Sequence, residues 1–206
     1  MNSSTDSLDF YFETIMLEVV EFINNIDKNE ILNAAEVIQY AKENYGRVHI
    51  TGIGKPSHVA SYIAALNSSI GSPTYYLDAT EAVHGSAGQV LPGDVIIAIS
   101  NSGQTDELKR AIKALKKIGV KIIGVSGGKE SWLSEQSDAF LFAGINQEGD
   151  NLNKPPRASI IAEIVALQSL SIILQEQENV DLDKYFLWHP GGALGESIKK
   201  ERRTIV

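Results

Sequence analysis

The chain has 206 residues, of which 43% are hydrophobic and 21% charged, and its formal net charge is −8. That length suits one domain with a substantial core, so we expect a single domain over residues 1–206. The chain contains no cysteine, which excludes disulfides, thiol catalysis and zinc–thiolate sites. Because the charge is negative and no block of Lys and Arg stands out, we expect no nucleic-acid partner and no acidic membrane partner.

The sequence shows no targeting signal. Residues 1–16 are acidic and lack a basic region followed by an apolar one, which is unlike a signal peptide. No stretch approaches the roughly 20 apolar residues that cross a bilayer. We therefore expect a cytoplasmic protein.

Two helices are predicted near the N-terminus, within about residues 7–45. Their apolar residues recur at helical spacing, first from Leu8 to Ile26 and then from Ile31 to Ala41. Beyond them, strands and helices alternate. The predicted strands cover 47–52, 73–79, 93–100, 121–127 and 139–143, and the predicted helices cover 54–71, about 105–118, about 130–136, 158–177 and a short segment near 194.

This alternation predicts an α/β protein in which helices cover both faces of a parallel sheet. Five strands suit a flavodoxin-like or related doubly wound sheet. Ligands of such sheets bind beyond the carboxyl ends of the strands, where loops lead into helices. Three loops lie at such positions, over residues 52–57, 100–105 and 126–131.

The second of these loops is rich in hydroxyl groups, and residues 100–105 are called the serine loop below. Ser100, Ser102 and Thr105 supply hydroxyls, and Gly103 lets the backbone turn its N–H groups towards one point. Together with the N-terminus of the next helix, these groups suit a phosphate cradle. The same composition also suits a loop that only caps a helix, so the loop alone leaves both interpretations open.

Two neighbouring glycine-containing stretches fail as nucleotide-binding motifs. GIGKPS (52–57) lacks the third glycine of the dinucleotide fingerprint. SGGKES (126–131) lacks the upstream glycine and the Ser or Thr after lysine that a Walker loop needs. A single phosphate on a small metabolite is therefore the favoured ligand.

Three stretches together resemble sugar isomerase (SIS) domain proteins, and most closely their arabinose 5-phosphate isomerase group. They are TGIGKPSH (51–58), ISNSGQTDEL (99–108) and HPGGALGES (189–197), in the family's order and at its separations. EAVHGSAGQVLPGDVIIAISNSG (81–103) resembles that group almost throughout, and the likeness runs from about residue 30 to residue 200. The resemblance implies a three-layer α/β/α sandwich with a five-stranded parallel sheet, the flavodoxin-like SIS fold.

The resemblance also implies roles for individual residues. Ser100, Ser102 and Thr105 would hold the substrate phosphate, with Asn101 shaping the loop. The residues implied as catalytic are Lys55, Glu107, Glu148 and His189. Further substrate-binding positions implied in the matching motifs are Gly54, Ser57 and His84.

The sequence departs from the family's pattern at three places. Pro56 stands where the family usually has Ser, and Gln104 stands where the group commonly has Glu, which removes a charge near the phosphate. A Thr/Ser-rich stretch becomes KPPRAS (154–159), so we expect Arg157 to touch the sugar or its phosphate. These departures bear on the choice of sugar more than on the type of reaction.

The implied reaction converts ribulose 5-phosphate to arabinose 5-phosphate through a cis-enediolate, for 3-deoxy-D-manno-octulosonate in lipopolysaccharide or capsule. It needs a base at the carbon and donors for the enediolate oxygens, but no metal or redox cofactor. Glu148 is the preferred base, although Glu107 fits nearly as well, and two carboxylates sharing a pocket would raise one pKa. Lys55 would supply positive charge and His189 would shuttle protons between oxygens.

The resemblance further implies a homo-oligomer, expected to be a tetramer with shared active sites in which His189 completes a neighbour's site. Many relatives carry a C-terminal pair of cystathionine-β-synthase-type modules, which we expect this short form to lack. Two alternatives remain open: a non-catalytic sugar-phosphate-binding regulator, and another SIS-type phosphosugar isomerase. His49, in a strand, and His58, in a helix, are expected to be structural.

Overall fold

The computed structural model describes residues 4–204, without the side chains of residues 194 and 200–204. Its strands are β1 (Val48–Gly52), β2 (Thr74–Tyr76), β3 (Val95–Ile99), β4 (Lys121–Ser126) and β5 (Ala139–Phe142). Its helices are α1 (Ser4–Asn25), α2 (Lys28–Glu43), α3 (Lys55–Ser69), α4 (Ala79–Ala82), α5 (Asp106–Lys116), α6 (Trp132–Gln136), α7 (Ala158–Gln177), α8 (Leu182–Trp188) and α9 (Gly192–Thr204).

The five strands form one parallel sheet in the order β2-β1-β3-β4-β5. Every residue of β1 and β3 is buried, as expected for central strands that are covered on both faces. The predicted fold class is therefore confirmed. The order reverses between β1 and β3, which are paired from Val48 and Val95 to Gly52 and Ile99.

Helices cover both faces of the sheet, as predicted. One core packs α1, α2, α3 and α7 against one face, through alternate strand residues such as Ile50 and Ile97. The other core packs α4, α5 and α6 against the opposite face, through residues such as Ile96 and Ile122. The alternation places α3 and α5 on opposite faces, although they follow neighbouring strands. That divergence opens a crevice at the carboxyl ends of β1 and β3.

The long helix α7 corrects one expectation. Over Ala158–Gln177 it is long and apolar enough to cross a membrane by length and composition alone, so the sequence does contain such a stretch. Half of its most apolar window is buried inside the protein, where the helix packs against α1, α2 and α3. Apolar residues lie on all sides of α7 because it forms part of a core.

At the opposite end of the sheet, a buried ion cluster joins β1 to the turn before β3. Asp94 accepts hydrogen bonds from Leu91 N (2.9 Å), Arg47 N (2.8 Å) and His49 Nε2 (3.1 Å). Burial lowers the pKa of His49, against the opposing effect of Asp94. Burial alone would raise the pKa of Asp94, but its donors lower it. His49 therefore packs as a neutral structural residue, as the sequence analysis expected.

Two short helices were missed at the sequence level, and one helix was expected to be shorter. The unpredicted helices, α4 and α8, have their N-termini capped by the side chains of Asp78 and Asp181. A capped helix of four to seven residues has too few turns to show helical periodicity. The segment expected near residue 194 extends over α9, Gly192–Thr204.

Candidate active site

The serine loop lies at the point where the strand order reverses and is held rigidly there. Ser100 Oγ is 3.0 Å from Thr105 Oγ1, and Gly103 N donates to Ser100 O at 3.0 Å. The carbonyl of Asn101 accepts from Gly127 N at 2.9 Å, which fixes the loop to the one after β4. The hydroxyls therefore keep a defined arrangement at the mouth of the crevice.

Gly103 is required by this geometry. Its φ of +61° favours glycine, and it lies buried against the first turn of α6. A Cβ at this position would overlap Ser131 and would lie 2.8 Å from Ser126 Oγ. The serine loop can therefore approach α6 closely only because residue 103 has no side chain.

The interpretation of the serine loop as a mere helix cap does not fit its contacts. Thr105 occupies the N-cap position of α5, yet its side chain makes no capping hydrogen bond. In contrast, Asp27, Asp78, Ser131 and Asp181 cap α2, α4, α6 and α8 with their side chains. Helix α3 begins after Gly54, which has no side chain, and the side chain of Arg157 at the N-cap of α7 makes no capping bond. The N-termini of α3, α5 and α7 all lie at the carboxyl end of the sheet.

Lys55 begins α3 on the other side of the crevice. It is exposed, and it follows Gly54, whose φ is +69°. Ser57 Oγ donates to Gly54 O at 2.6 Å, so this hydroxyl stabilises the turn that carries Lys55. The loop after β1 and the serine loop thus face each other, as expected for loops that diverge from adjacent parallel strands.

Glu148 lies in the loop between β5 and α7 and is 6% exposed. Its Oε2 accepts from Arg157 N at 2.6 Å and from Ser159 N at 3.1 Å, both at the N-terminus of α7. Asn153 Oδ1 accepts from Glu148 N at 2.7 Å and orients the residue further. Among the described residues, Oε1 has no hydrogen-bond partner. One carboxylate oxygen is thus anchored by backbone donors, and the other makes no hydrogen bond within this part of the chain.

The loop that carries Glu148 is held in place by the N-terminal helix. Glu18 Oε2 accepts from Asn146 N at 2.8 Å, and the ring of Tyr11 packs directly over Gly149. Gly149 has a φ of +92°, and an added Cβ would lie 2.8 Å from the ring. Helix α1 therefore fixes the position of the carboxylate from outside the sheet.

Arg157 is engaged by a neighbour that the sequence analysis did not consider. Its guanidinium pairs with Asp150 in the same loop. Partial burial would raise the pKa of Asp150, but the hydrogen bond from Arg157 and backbone donors lower it. The Arg157 side chain is thus committed to the loop, while its backbone N–H serves Glu148. Sugar or phosphate contact by Arg157 stays a prediction.

Glu148 acts electrostatically on a carboxyl that was not among the predicted site residues, that of Glu163. Glu107 lies in the first turn of α5 and is exposed. Glu163, on α7, is fully buried, and neither of its carboxyl oxygens has a hydrogen-bond partner in the described part of the chain. Burial, together with the charge of Glu148, raises the pKa of Glu163 to about 8. A signal existed in the sequence, because Glu163 is the one charged residue in residues 158–175.

His84 and His189 lie at different ends of the sheet. His84 is exposed just after α4, which follows the carboxyl end of β2, so it shares the end that carries Lys55. His189 follows α8, beyond the far end of α7, beside Trp188, which packs against Gly71 just before β2. Within one chain, His189 therefore does not meet the serine loop.

The orientation of the His189 ring is fixed by contacts with Tyr185. Its ring stacks on Tyr185, with ring centroids 4.0 Å apart, and its Nδ1 lies 2.9 Å from Tyr185 O. Because a carbonyl oxygen only accepts, Nδ1 carries a proton here and Nε2 is the basic nitrogen. That nitrogen is available to a ligand or to another chain.

The fold and this end of the sheet define a doubly wound α/β protein with a polar crevice at its switch point. The SIS domain family matches residues 40–171, and the chain belongs to that family. It is 34% identical over 170 residues to the arabinose 5-phosphate isomerase KdsD of Pseudomonas aeruginosa, covering 82% of this chain and 51% of that protein. It is 33% identical over 207 residues to KdsD of Francisella tularensis, covering 99% and 63%.

A solved structure gives a similar result. The c3406 protein of E. coli CFT073, in complex with arabinose 5-phosphate, superposes with a TM-score of 0.83 at 31% identity, covering 92% of this chain and all of that one. The resemblance to the arabinose 5-phosphate isomerases is therefore confirmed. The chain spans only about half the length of the Pseudomonas relative.

Proposed function

We propose that this chain is a phosphosugar isomerase that interconverts ribulose 5-phosphate and arabinose 5-phosphate through an enediolate. The observation that carries the proposal is the Glu148 carboxylate, buried at the N-terminus of α7 with one oxygen held by two backbone N–H groups. It lies at the same end of the sheet as the serine loop and Lys55. The similarity to proteins named arabinose 5-phosphate isomerase favours this sugar, and octulosonate synthesis as the pathway.

The phosphate would bind in the serine loop. Ser100, Ser102 and Thr105 offer hydroxyls, Asn101 shapes the loop, and the first N–H groups of α5 lack a side-chain cap. These donors give a local anion site in a chain whose net charge of −8 opposes anions at long range.

Glu148 is the better carbon base of the two candidates. Its Oε2 is anchored, so Oε1 can take the proton from C1 or C2 as the C–H electrons form the enediolate double bond. The same oxygen can return the proton to the other carbon. Glu107, which is exposed, would act instead on hydroxyl groups of the bound sugar.

Charge on the enediolate oxygens would be met by Lys55 and by a histidine. Because His189 lies at the other end of its own chain, we propose that a second copy supplies it, with Nε2 shuttling the proton between O1 and O2. Gly54, Ser57 and His84 line the same end of the sheet and would contact the sugar.

The N-terminal helix offers a surface for such a copy. Residues of α1 that are 48–66% exposed form an apolar stripe at helical spacing: Leu8, Phe12, Met16, Leu17, Val20 and Ile23. A closed assembly of two dimers would bury this stripe and share sites between chains. We propose a cytoplasmic homotetramer of a single domain that needs no metal or cofactor and binds neither nucleic acid nor membrane.

The reaction can be tested by NMR in deuterated water. Chelator-treated protein is mixed with ribulose 5-phosphate, and the expected product is arabinose 5-phosphate with deuterium at C2. Glu148→Gln should abolish exchange, whereas Glu107→Gln should retain exchange at a reduced rate. Substrate binding without turnover would contradict the isomerase and would support a sugar-phosphate sensor.

Subunit mixing tests the shared site. Glu148→Gln and His189→Ala chains are each expected to be inactive alone. After unfolding and refolding together, a shared site restores activity to about a quarter of wild type, because random pairing joins one intact residue from each chain. No recovery in mixed oligomers would contradict the sharing.

A further inference from the structure

The carboxyl of Glu163 has no structural partner. It lies on the buried face of α7, and neither of its oxygens has a hydrogen-bond partner. An unpaired buried polar group lowers stability, because it loses water and gains no hydrogen bond in return. A Leu at this position would pack in the same core without that cost. Packing therefore gives no physical account of an acid at position 163.

Glu163 lies directly behind the proposed base. Ser159 and Glu163 are four residues apart on α7 and so lie on the same face, one turn apart. Ser159 N donates to Glu148 Oε2 at 3.1 Å, and Ser159 Oγ is itself buried without a partner. Glu148, Ser159 and Glu163 thus form one buried polar cluster that extends from the loop before α7 along the first turns of that helix.

The acids of α1 and α2 at this end of the sheet bind backbone N–H groups and do not pair with Glu163. At this end of the sheet, the carboxylates of Glu18 and Glu30 accept from the backbone N–H groups of Asn146 and Phe142. Of the charged groups in the described part of the chain, only Glu148 shifts the pKa of Glu163, adding to the effect of burial.

No side chain of α3 compensates it either. Lys55 and His58 are exposed at the start of α3, and the Tyr62 hydroxyl accepts from Gln168 on the outer face of α7. Among the described residues, no cationic side chain therefore offsets the effect of Glu148 on Glu163.

We propose that Glu163 is a positioning residue for Glu148: as a buried, uncharged acid it keeps the pair at a single negative charge, which resides on the anchored carboxylate that acts as base. This rests on the proposed isomerase function. When substrate is bound, its phosphate and the developing enediolate add further negative charge near Glu148. Ionisation of Glu163 would place a second negative carboxylate next to that of Glu148. Its charge would oppose both the bound phosphate and the developing enediolate. The proton on Glu163 thus sets the upper pH limit of activity.

The pH profile of kcat/KM tests this role. Wild type is expected to lose about tenfold per pH unit above roughly pH 8, where Glu163 ionises. In Glu163→Gln the amide is neutral, like the protonated acid, but it cannot ionise. This variant is expected to lose about threefold in kcat/KM at pH 7 and to show no fall of kcat/KM up to pH ~9.5. Glu176→Gln, an exposed position on the same helix, is the matched control and should retain the fall.

An unchanged alkaline fall in Glu163→Gln would overturn the proposal. So would a folded Glu163→Gln protein that is inactive at every pH. If the Gln variant fails to fold, Glu163→Leu is subject to the same criteria.

Carboxyl ¹³C NMR on the protein without substrate separates this proposal from the isomerase function itself. Signals are assigned by their loss in the Glu148→Gln and Glu163→Gln variants. The Glu163 signal should titrate near pH 8, and the Glu148 signal should shift at the same pH. If wild type titrates in this way but does not turn over ribulose 5-phosphate, the proposed function fails while the coupled pair stands. A Glu163 signal that titrates near its ordinary value of 4.5 overturns the pair, whatever the activity.

Discussion

Replacing Gly103 by alanine tests how the serine loop is held. The substitution forces an L residue into a φ of +61°, which costs about 1–2 kcal/mol. The new Cβ would also overlap Ser131 and lie 2.8 Å from Ser126 Oγ, and relieving such an overlap costs about 1–3 kcal/mol more. Because Cβ is fixed to the backbone, a side-chain rotation of residue 103 cannot remove the clash. The loop itself must move away from α6, taking its hydroxyls with it.

Gly93→Ala separates the two costs. Gly93 has a φ of +89° at the other end of the sheet, and an added Cβ would meet nothing within 4 Å. Urea unfolding at one protein concentration should show a loss of about 1–2 kcal/mol for Gly93→Ala and about 2–5 kcal/mol for Gly103→Ala. Calorimetric titration with ribulose 5-phosphate should show more than about tenfold weaker binding for Gly103→Ala alone. Equal stability losses, or unchanged binding by Gly103→Ala, would refute the reasoning.

The buried ionisable groups give three further expectations for the free energy of unfolding. The folded state holds the Glu163 proton up to about pH 8, while the unfolded state loses it near 4.5, so stability falls by about 1.4 kcal/mol per pH unit between them. Urea titrations at pH 5 and pH 7 should show Glu163→Gln gaining about 3 kcal/mol relative to wild type, and Glu176→Gln gaining nothing; parallel curves would contradict this. Asp94→Asn should lose about 3 kcal/mol at pH 7, because Arg47 and His49 lose a buried carboxylate, and a loss below about 1 kcal/mol would contradict that role. The lowered pKa of His49 has the opposite sign to Glu163: stability falls as pH drops through about 6.5, and His49→Gln should remove that part of the acid loss.

The central strands were predictable because they are buried on both faces. β3 appears in the sequence as a nearly continuous apolar run, and all five of its residues are buried. Helix α2 was placed within a few residues by its apolar periodicity, and α7 by the length of its apolar segment. The short helix α4 escaped prediction because it depends on one capping residue, Asp78, and a tertiary position beside α5. Long elements can be predicted from their apolar patterns, whereas helices of one or two turns can be predicted only from their capping residues.

Only those candidate site residues that lie within recognisable motifs could be predicted from the sequence. The residue types of the serine loop suggested an anion site, whereas roles for Lys55 and Glu148 were predicted only from the resemblance to the SIS family. Glu163 stands in an apolar helix, and its meaning depends on Ser159 N, four residues before it, holding Glu148 from a different loop. Glu163 is a carboxyl that Glu148 influences and that was not among the predicted site residues, and the predicted pairing of Glu148 with Glu107 stays a prediction. A lone acid within a long apolar helix is the signal that deserved that inference.

The electrostatics of the site depend on the positions of uncapped helix N-termini in an otherwise acidic chain. With a net charge of −8, the protein repels a sugar phosphate at long range, so binding must depend on donors within a few ångströms. Three helices, α3, α5 and α7, lack a side-chain cap from their own N-cap residue, and all three begin at the carboxyl end of the sheet. Glu148 occupies the N-terminus of α7, which leaves those of α3 and α5 for the phosphate of the proposed substrate. If Glu163 were also ionised, its charge would cancel much of the attraction between these helix N-termini and the phosphate. Burial of Glu163 lowers the stability of the fold, but the same burial keeps its carboxyl neutral.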